Sequence, residues 1–148
     1  MSRVLGVDLG EKRIGLACSD ASGTLASPLR TILRSGDADA DRTAIVAAAR
    51  EVGAGRIVVG LPRSLSGREG PAARGARAEA AALAERAGTA GGIQVELHDE
   101  RFTTLEAQRA LRAGGRPARA QRDHIDAAAA AVMLQSWLDG RRAREIGR

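Results

Sequence analysis

Three carboxylates in three separate motifs have the chemistry of one site: Asp8 in VLGVDLG, Glu100 in HDERFTT and Asp126 in RDHIDAAAAAVMLQ. A carboxylate at the end of an apolar strand is costly to bury unless something compensates its charge. Two further acids beside apolar elements point to a divalent cation as that compensator. Carboxylate oxygens are the hard ligands Mg²⁺ prefers, one or two per ion, with retained waters and substrate phosphate oxygens completing the shell. Two such ions about 4 Å apart can activate a water and stabilise a leaving oxygen. That chemistry needs no histidine, and His98 and His124, the only two in the chain, read as structural or peripheral.

Charge narrows the substrate class. The chain of 148 residues carries a formal net charge of +5, which favours polyanions such as nucleic acid. Lys12 is the only lysine, and the arginine excess comes with much Ala and Gly. A GC-rich genome produces the same bias, so basicity alone does not decide. Phe102 and Trp137 are the whole aromatic set, too few for a platform that stacks single-stranded bases. Recognition of a nucleic acid would therefore run through phosphates and shape.

Each acid also has an ordinary reading. Asp8 could be a turn aspartate opening the Gly10-Glu11-Lys12-Arg13 hairpin. Against that, alternation puts Val4, Gly6 and Asp8 on one strand face and Leu5, Val7 and Leu9 on the other, and the glycines leave room for something to approach. Glu100 could be a loop charge paired with Arg101, although it falls just past a strand, where open α/β sheets place their sites. Asp126 could be a structural first-turn carboxylate, with Asp123 as N-cap and the helix dipole in its favour.

The elements that must position these residues follow from periodicity. Residues 3–9 and 13–19 read as strands, Asp20-Ala21-Ser22-Gly23 as a hairpin turn, and 24–33 as a third strand. Residues 38–53 carry Ile45, Val46, Ala49 and Val52 at helical spacing, with Asp37, Asp39 or Asp41 as cap and Gly53 as stop. A buried strand is predicted at 56–62, a polar glycine-rich loop at 63–70, and a helix from Pro71 to about 87. A strand at 93–98 leads to Glu100. A helix then begins near Thr103 or Thr104 and ends before Gly114-Gly115. Residues 114–121 read as mobile, 123–139 as a helix buried nearly all round, and the polar tail 140–148 as frayed. The order βββαβαβαα argues an α/β fold: a mixed sheet, three antiparallel strands plus parallel ones, flanked by helices.

The length fits one domain over 1–148 that buries about 70% of its unfolded surface. No stretch of about 18 apolar residues is present, so no membrane span is expected. The opening MSRVLGVDLG runs straight into a strand without a signal-peptide cleavage site, which suggests a cytoplasmic protein. The single cysteine, Cys18, excludes an intramolecular disulfide and reads as a small core residue.

Four motifs, GVDLGEKRIGLACSD, IVVGLPRSLSGREGP, DERFTT and IDAAAAAVMLQSWLD, in this order over residues 3–139, resemble the YqgF/RuvX family. The resemblance implies a ribonuclease H-like fold related to the Holliday junction resolvase RuvC. That family is described in two ways, as a Holliday junction resolvase and as the nuclease that matures the 5′ end of the 16S ribosomal RNA precursor. It further implies a Mg²⁺ or Mn²⁺ site made by Asp8, Glu100 and Asp126. Lys12, Arg13 and Arg101 match basic positions that could meet phosphate. Thr103 and Thr104 could cap the next helix or contact the nucleic-acid backbone. Relatives often carry a basic residue after the helix acid, where this chain has Ala127, which weakens a phosphate contact there. The expected partners are precursor rRNA, within a ribosomal particle, or branched DNA.

Two other classes compete. GVDLG before a hairpin also resembles the first phosphate loop of actin-like phosphotransferases, but those need two such domains. A non-catalytic nucleic-acid-binding module would have no use for all three acids. A junction resolvase should be a homodimer, since it cuts two symmetric strands; an rRNA nuclease can act as a monomer. Leu134, Trp137 and Leu138 could serve a dimer contact, though core packing is their simpler use.

Overall fold

The first two strands form where the period-two pattern puts them, β1 over Arg3–Leu9 and β2 over Arg13–Ser19. In this computed structural model the described residues are 2–61, 70–99 and 118–146, with 90, 118–125 and 146 described by backbone alone. The remaining elements are β3 (Ala26–Leu33), α1 (Ala38–Glu51), β4 (Ala54–Leu61), α2 (Pro71–Gly91), β5 (Gln94–Asp99) and α3 (Ala118–Ile146). Of the expected loop at 63–70, residues 63–69 lie outside the described residues, as does the expected helix after Thr103, while Gly70 is the N-cap position of α2.

The five strands lie in the order β3-β2-β1-β4-β5. β1 pairs antiparallel with β2, and β2 with β3, while β4 and β5 continue the sheet parallel to β1. The antiparallel meander followed by parallel strands is the mixed sheet that the element order argued for.

Strand alternation then sorts the core onto two faces. Leu5, Val7, Ile14, Leu16, Ile57 and Val59 pack with Ile45 and Val46 of α1 and Leu83 and Ala87 of α2. Val4, Ala17 and Val58 pack on the opposite face with Ala130, Met133, Leu134, Trp137 and Leu138 of α3. Trp137 is 4% exposed, so this apolar stretch of α3 is core. Cys18 is partly buried in β2, and burial pushes its thiol up, which suits an inert core residue.

Local signals explain the helix ends. The Asp37 side chain accepts from the backbone N–H groups of Asp39 (3.0 Å) and Ala40 (3.3 Å), capping α1. Gly53 follows α1 at φ 74° and Gly92 follows α2 at φ 72°, left-handed stops that favour glycine. Arg42 of α1 grips both Glu79 carboxylate oxygens of α2, at 2.5 and 3.2 Å, and so ties the two helices together.

Two expectations at the C-terminal end are corrected. α3 begins at Ala118, so 118–121 are helical where a mobile stretch was expected. It also runs to Ile146, so residues 140–146 of the tail expected to fray are helical. After Pro117 the residues are Ala, Arg and Gln, good helix formers with no breaker before Asp123. At the far end the Arg141–Glu145 pair (3.4 Å, i,i+4) and Arg144 in the last turn support the final turns.

Candidate active site at one end of the sheet

Asp8 is the penultimate residue of β1, half-buried, with its Cα opposite Gly15 of β2. Val4 packs against α3, and a Cβ on Gly6 would come within 2.9 Å of the Leu134 Cβ and 3.3 Å of the Ala130 carbonyl oxygen. Alternation therefore puts Asp8 on the same face, one step further along the strand.

Gly15 brings the second acid in. A Cβ there would overlap the carbonyl group of Asp126, so only glycine admits the helix backbone at this point. Residue numbers rise along β1 while they fall along α3: Gly6 meets Ala130 and Leu134, and the Asp8–Gly15 rung meets Asp126. Two strand residues span about 6.7 Å and four helical residues about 6 Å, so the steps stay in phase. Asp8 and Asp126, 118 positions apart in the sequence, thus share one end of one sheet face.

Asp126 is half-buried and follows Ala118 by eight residues, just over two helical turns. The first-turn reading, with Asp123 as N-cap and a dipole benefit, is corrected on that ground: helix-end effects fade within the first turn.

The parallel register carries the same end across to β5. Val7 pairs with Val59, Gly60 with His98 and Leu61 with Asp99, so β1, β4 and β5 finish side by side. Asp99 ends β5 there. Glu100 follows it in the sequence and lies outside the described residues, as do Arg101, Thr103 and Thr104. His98 is partly buried and its Nε2 stands 3.1 Å from the Ser136 Oγ of α3. Burial pushes the imidazole below its ordinary range, against the pull of Asp99 and Glu96. A neutral imidazole tied to Ser136 fits the structural role expected of it. The side chain of His124 is outside the described residues.

The turn after Asp8 is tightly made. The Gly10 N–H donates to the Arg13 carbonyl (2.8 Å), and a Cβ on Gly10 would press against that same oxygen. Lys12 is exposed in this turn, and Arg13 is half-buried at the start of β2. The Arg34 side chain donates from Nε to the Gly10 carbonyl (2.8 Å), and its backbone N–H donates to the Lys12 carbonyl (2.9 Å). Arg34 and Gly15 were not singled out by sequence reasoning. A glycine inside the strand pattern RIGLACS was the available signal for the second; nothing in the spacing marks the first.

The donor set suits a hard divalent cation. Asp8 and Asp126 offer only oxygen, and one or two carboxylates per ion suffice for Mg²⁺. Among the described residues no group of three or more His, Cys, Asp and Glu side chains is arranged to hold a metal.

A mixed five-stranded sheet packed between helices is the ribonuclease H-like architecture of the RuvC resolvases. Thermus thermophilus RuvC, solved in complex with a Holliday junction substrate, superposes with a TM-score of 0.56 at 16% identity, covering 96% of each chain. The yeast mitochondrial Holliday junction resolvase Ydc2 gives 0.55 at 13% identity, over 93% of this chain and 78% of its own. At these identities the likeness is one of fold. The chain belongs to the RuvX family, whose family model, described as Holliday junction resolvase, matches residues 2–140. A protein of Anaeromyxobacter dehalogenans strain 2CP-C, named "Putative pre-16S rRNA nuclease", is 50% identical over 139 residues, 94% of this chain and 98% of its own. A protein of the same name from Mycolicibacterium paratuberculosis is 48% identical over 147 residues, 98% of this chain and 86% of its own.

Proposed function

We propose that this RuvX-family nuclease processes the 5′ end of the 16S ribosomal RNA precursor, as one domain over residues 1–148, in the cytoplasm and on a ribosomal particle. The observation that carries the chemistry is the seating of Asp126 on Gly15, which brings it beside Asp8. The choice of RNA rests on the relatives, 45–50% identical over most of this chain and all bearing the pre-16S rRNA nuclease name. Among the described residues no helix is long and apolar enough to cross a membrane.

Asp8 and Asp126, completed by Glu100, would hold Mg²⁺ or Mn²⁺. A cation held there supplies charge stabilisation at the phosphate and an activated water. The protein's own part is positioning. Gly15 and Gly6 let α3 lie close to the sheet, which seats the Asp126 backbone on the rung partner of Asp8. The Gly10–Arg13 turn presents Lys12 to solvent beside them, where it can meet backbone phosphate.

Resolution of four-way DNA junctions is the second reading. The description of the matching family model and the shared fold with RuvC favour it. The two readings separate in one assay: purified protein with Mg²⁺ or Mn²⁺, a 5′-extended 16S precursor RNA, and a synthetic four-way junction. Defined cleavage of the RNA supports the proposal. Paired symmetric nicks in the junction, with the RNA left intact, would replace it with the resolvase reading. Binding of either without cleavage would point to a non-catalytic module.

A further inference from the structure

Arg34 differs from Arg42 and Arg56, two other partly buried arginines. Arg42 and Arg56 spend their guanidinium groups on Glu79 and Glu96. Arg34 spends only Nε, on the Gly10 carbonyl (2.8 Å). Among the described residues its Nη1 and Nη2 make no hydrogen bond or ion pair. These two nitrogens carry four N–H donors on a group that stays charged.

The place of this cation gives it a use. Arg34 lines one cavity with Lys12, Leu33 and Asp41, and a second with Leu9, Gly10 and Pro71. Leu9 points away from the face that carries Asp8, so Arg34 lies across the Gly10–Arg13 turn from the acids. Three acids line these cavities with it: Asp41 accepts from the Ser35 Oγ at 2.8 Å, Glu79 holds Arg42, and Glu11 is exposed in the same turn as Lys12. Lys12, exposed in the same turn and lining the first cavity, puts a second cation beside it.

We infer that Arg34 binds the phosphate of a nucleotide flanking the cleaved bond, through its free Nη fork, while its Nε holds the turn in register. The planar fork matches a phosphate in a way a lysine ammonium does not. Because the contact lies across the turn from the acids, it acts on substrate binding, not on the chemical step. The inference rests on the nuclease reading of the Asp8 site.

The test measures binding of a 5′-extended 16S precursor RNA to the full-length Asp8→Asn protein, with and without Arg34→Gln and Arg34→Lys, across a salt series. Loss of one phosphate contact should flatten the slope of log K against log salt by about 0.7, the value for single-stranded nucleic acid. Arg34→Gln should show this, with affinity about tenfold weaker at moderate salt. Arg34→Lys should keep the slope but bind more weakly, since it keeps the charge and loses the fork. In the protein with Asp8 intact, Arg34→Gln should raise KM by a larger factor than it lowers kcat, since it also loses the Nε bond to the turn. Melting followed by Trp137 fluorescence identifies a variant that fails to fold, and the Arg34→Lys arm then carries the test. An unchanged slope and KM in a folded Arg34→Gln protein would overturn the inference while wild-type cleavage keeps the nuclease reading. A wild type that neither binds nor cuts the RNA or a four-way junction would overturn both.

Discussion

The α-carbon of Gly15 lies against the carbonyl of Asp126, with no room for a methyl group between them. This contact joins the two halves of the candidate site, because Gly15 is also the rung partner of Asp8. A single alanine at position 15 must push α3 away from the sheet or twist β2.

Gly15→Ala should therefore cost about 1–3 kcal/mol, the range for overpacking a well-filled interior. Cleavage should fall far more than the stability loss explains, since about 1 Å of displacement can cost on the order of a hundredfold in rate. Denaturant unfolding and a cleavage assay on the same preparation check both. A variant with normal stability and full activity would show that α3 does not depend on this close approach.

Trp137 anchors the other end of α3. Its indole N–H donates to Glu96 Oε2 (3.1 Å), and the Arg56 and Arg141 guanidinium carbons lie 5.9 and 5.3 Å from its ring centroid. Trp137→Ala should cost about 3–5 kcal/mol, as for other buried aromatics. Trp137→Phe keeps most of the packing and loses the bond to Glu96, whose side chain reaches solvent, for about 0.5–1.5 kcal/mol. Residue 137 is about 16 Å along the helix from Asp126. The Phe variant should thus lose stability and keep its catalytic rate, as urea unfolding and kinetics would show.

The Asp20 carboxyl shapes the β2–β3 turn, accepting from the backbone N–H groups of Thr24 (2.8 Å) and Leu25 (3.2 Å). These bonds hold it below the usual carboxylate range, Thr24 first. A depressed folded value means that the unfolded chain binds more protons over the intervening range. The stabilisation is thus present above about pH 4, the unfolded value, and is lost as pH falls through the folded value. The stability difference between wild type and Asp20→Ala should be flat above about pH 4 and shrink below it. A difference that grew with acid would contradict the assigned hydrogen bonds.

How far the sequence alone reached can be seen element by element. β1 and β2 were legible because period-two alternation and a glycine turn leave one register. The start of α3 was not, because Asp123 imitates a cap while the true start at Ala118 has no such signal. Asp8 and Asp126 were legible as acids of the right type, yet their placement at one end of one sheet face was not. It depends on Gly6 and Gly15 admitting α3, a tertiary contact that shows in sequence only as glycines within strand patterns. Arg34 left no trace in spacing, because its role comes from a side chain reaching back 24 residues to a backbone carbonyl.

The central claim is that Asp8 and Asp126 work as one metal-holding unit, and a mutant cycle on cleavage rate tests it most directly. Asp8→Asn, Asp126→Asn and the double variant would be compared with wild type on the precursor RNA in Mn²⁺, with folding verified by Trp137 fluorescence. Each single change removes a charge and keeps the shape. Each should lower the rate by more than about a hundredfold, the upper range for groups that only support a metal ligand. The double variant should be little worse than either single one, as for residues that act as a unit. Full activity in either single variant, or losses that simply multiply in the double, would contradict the account.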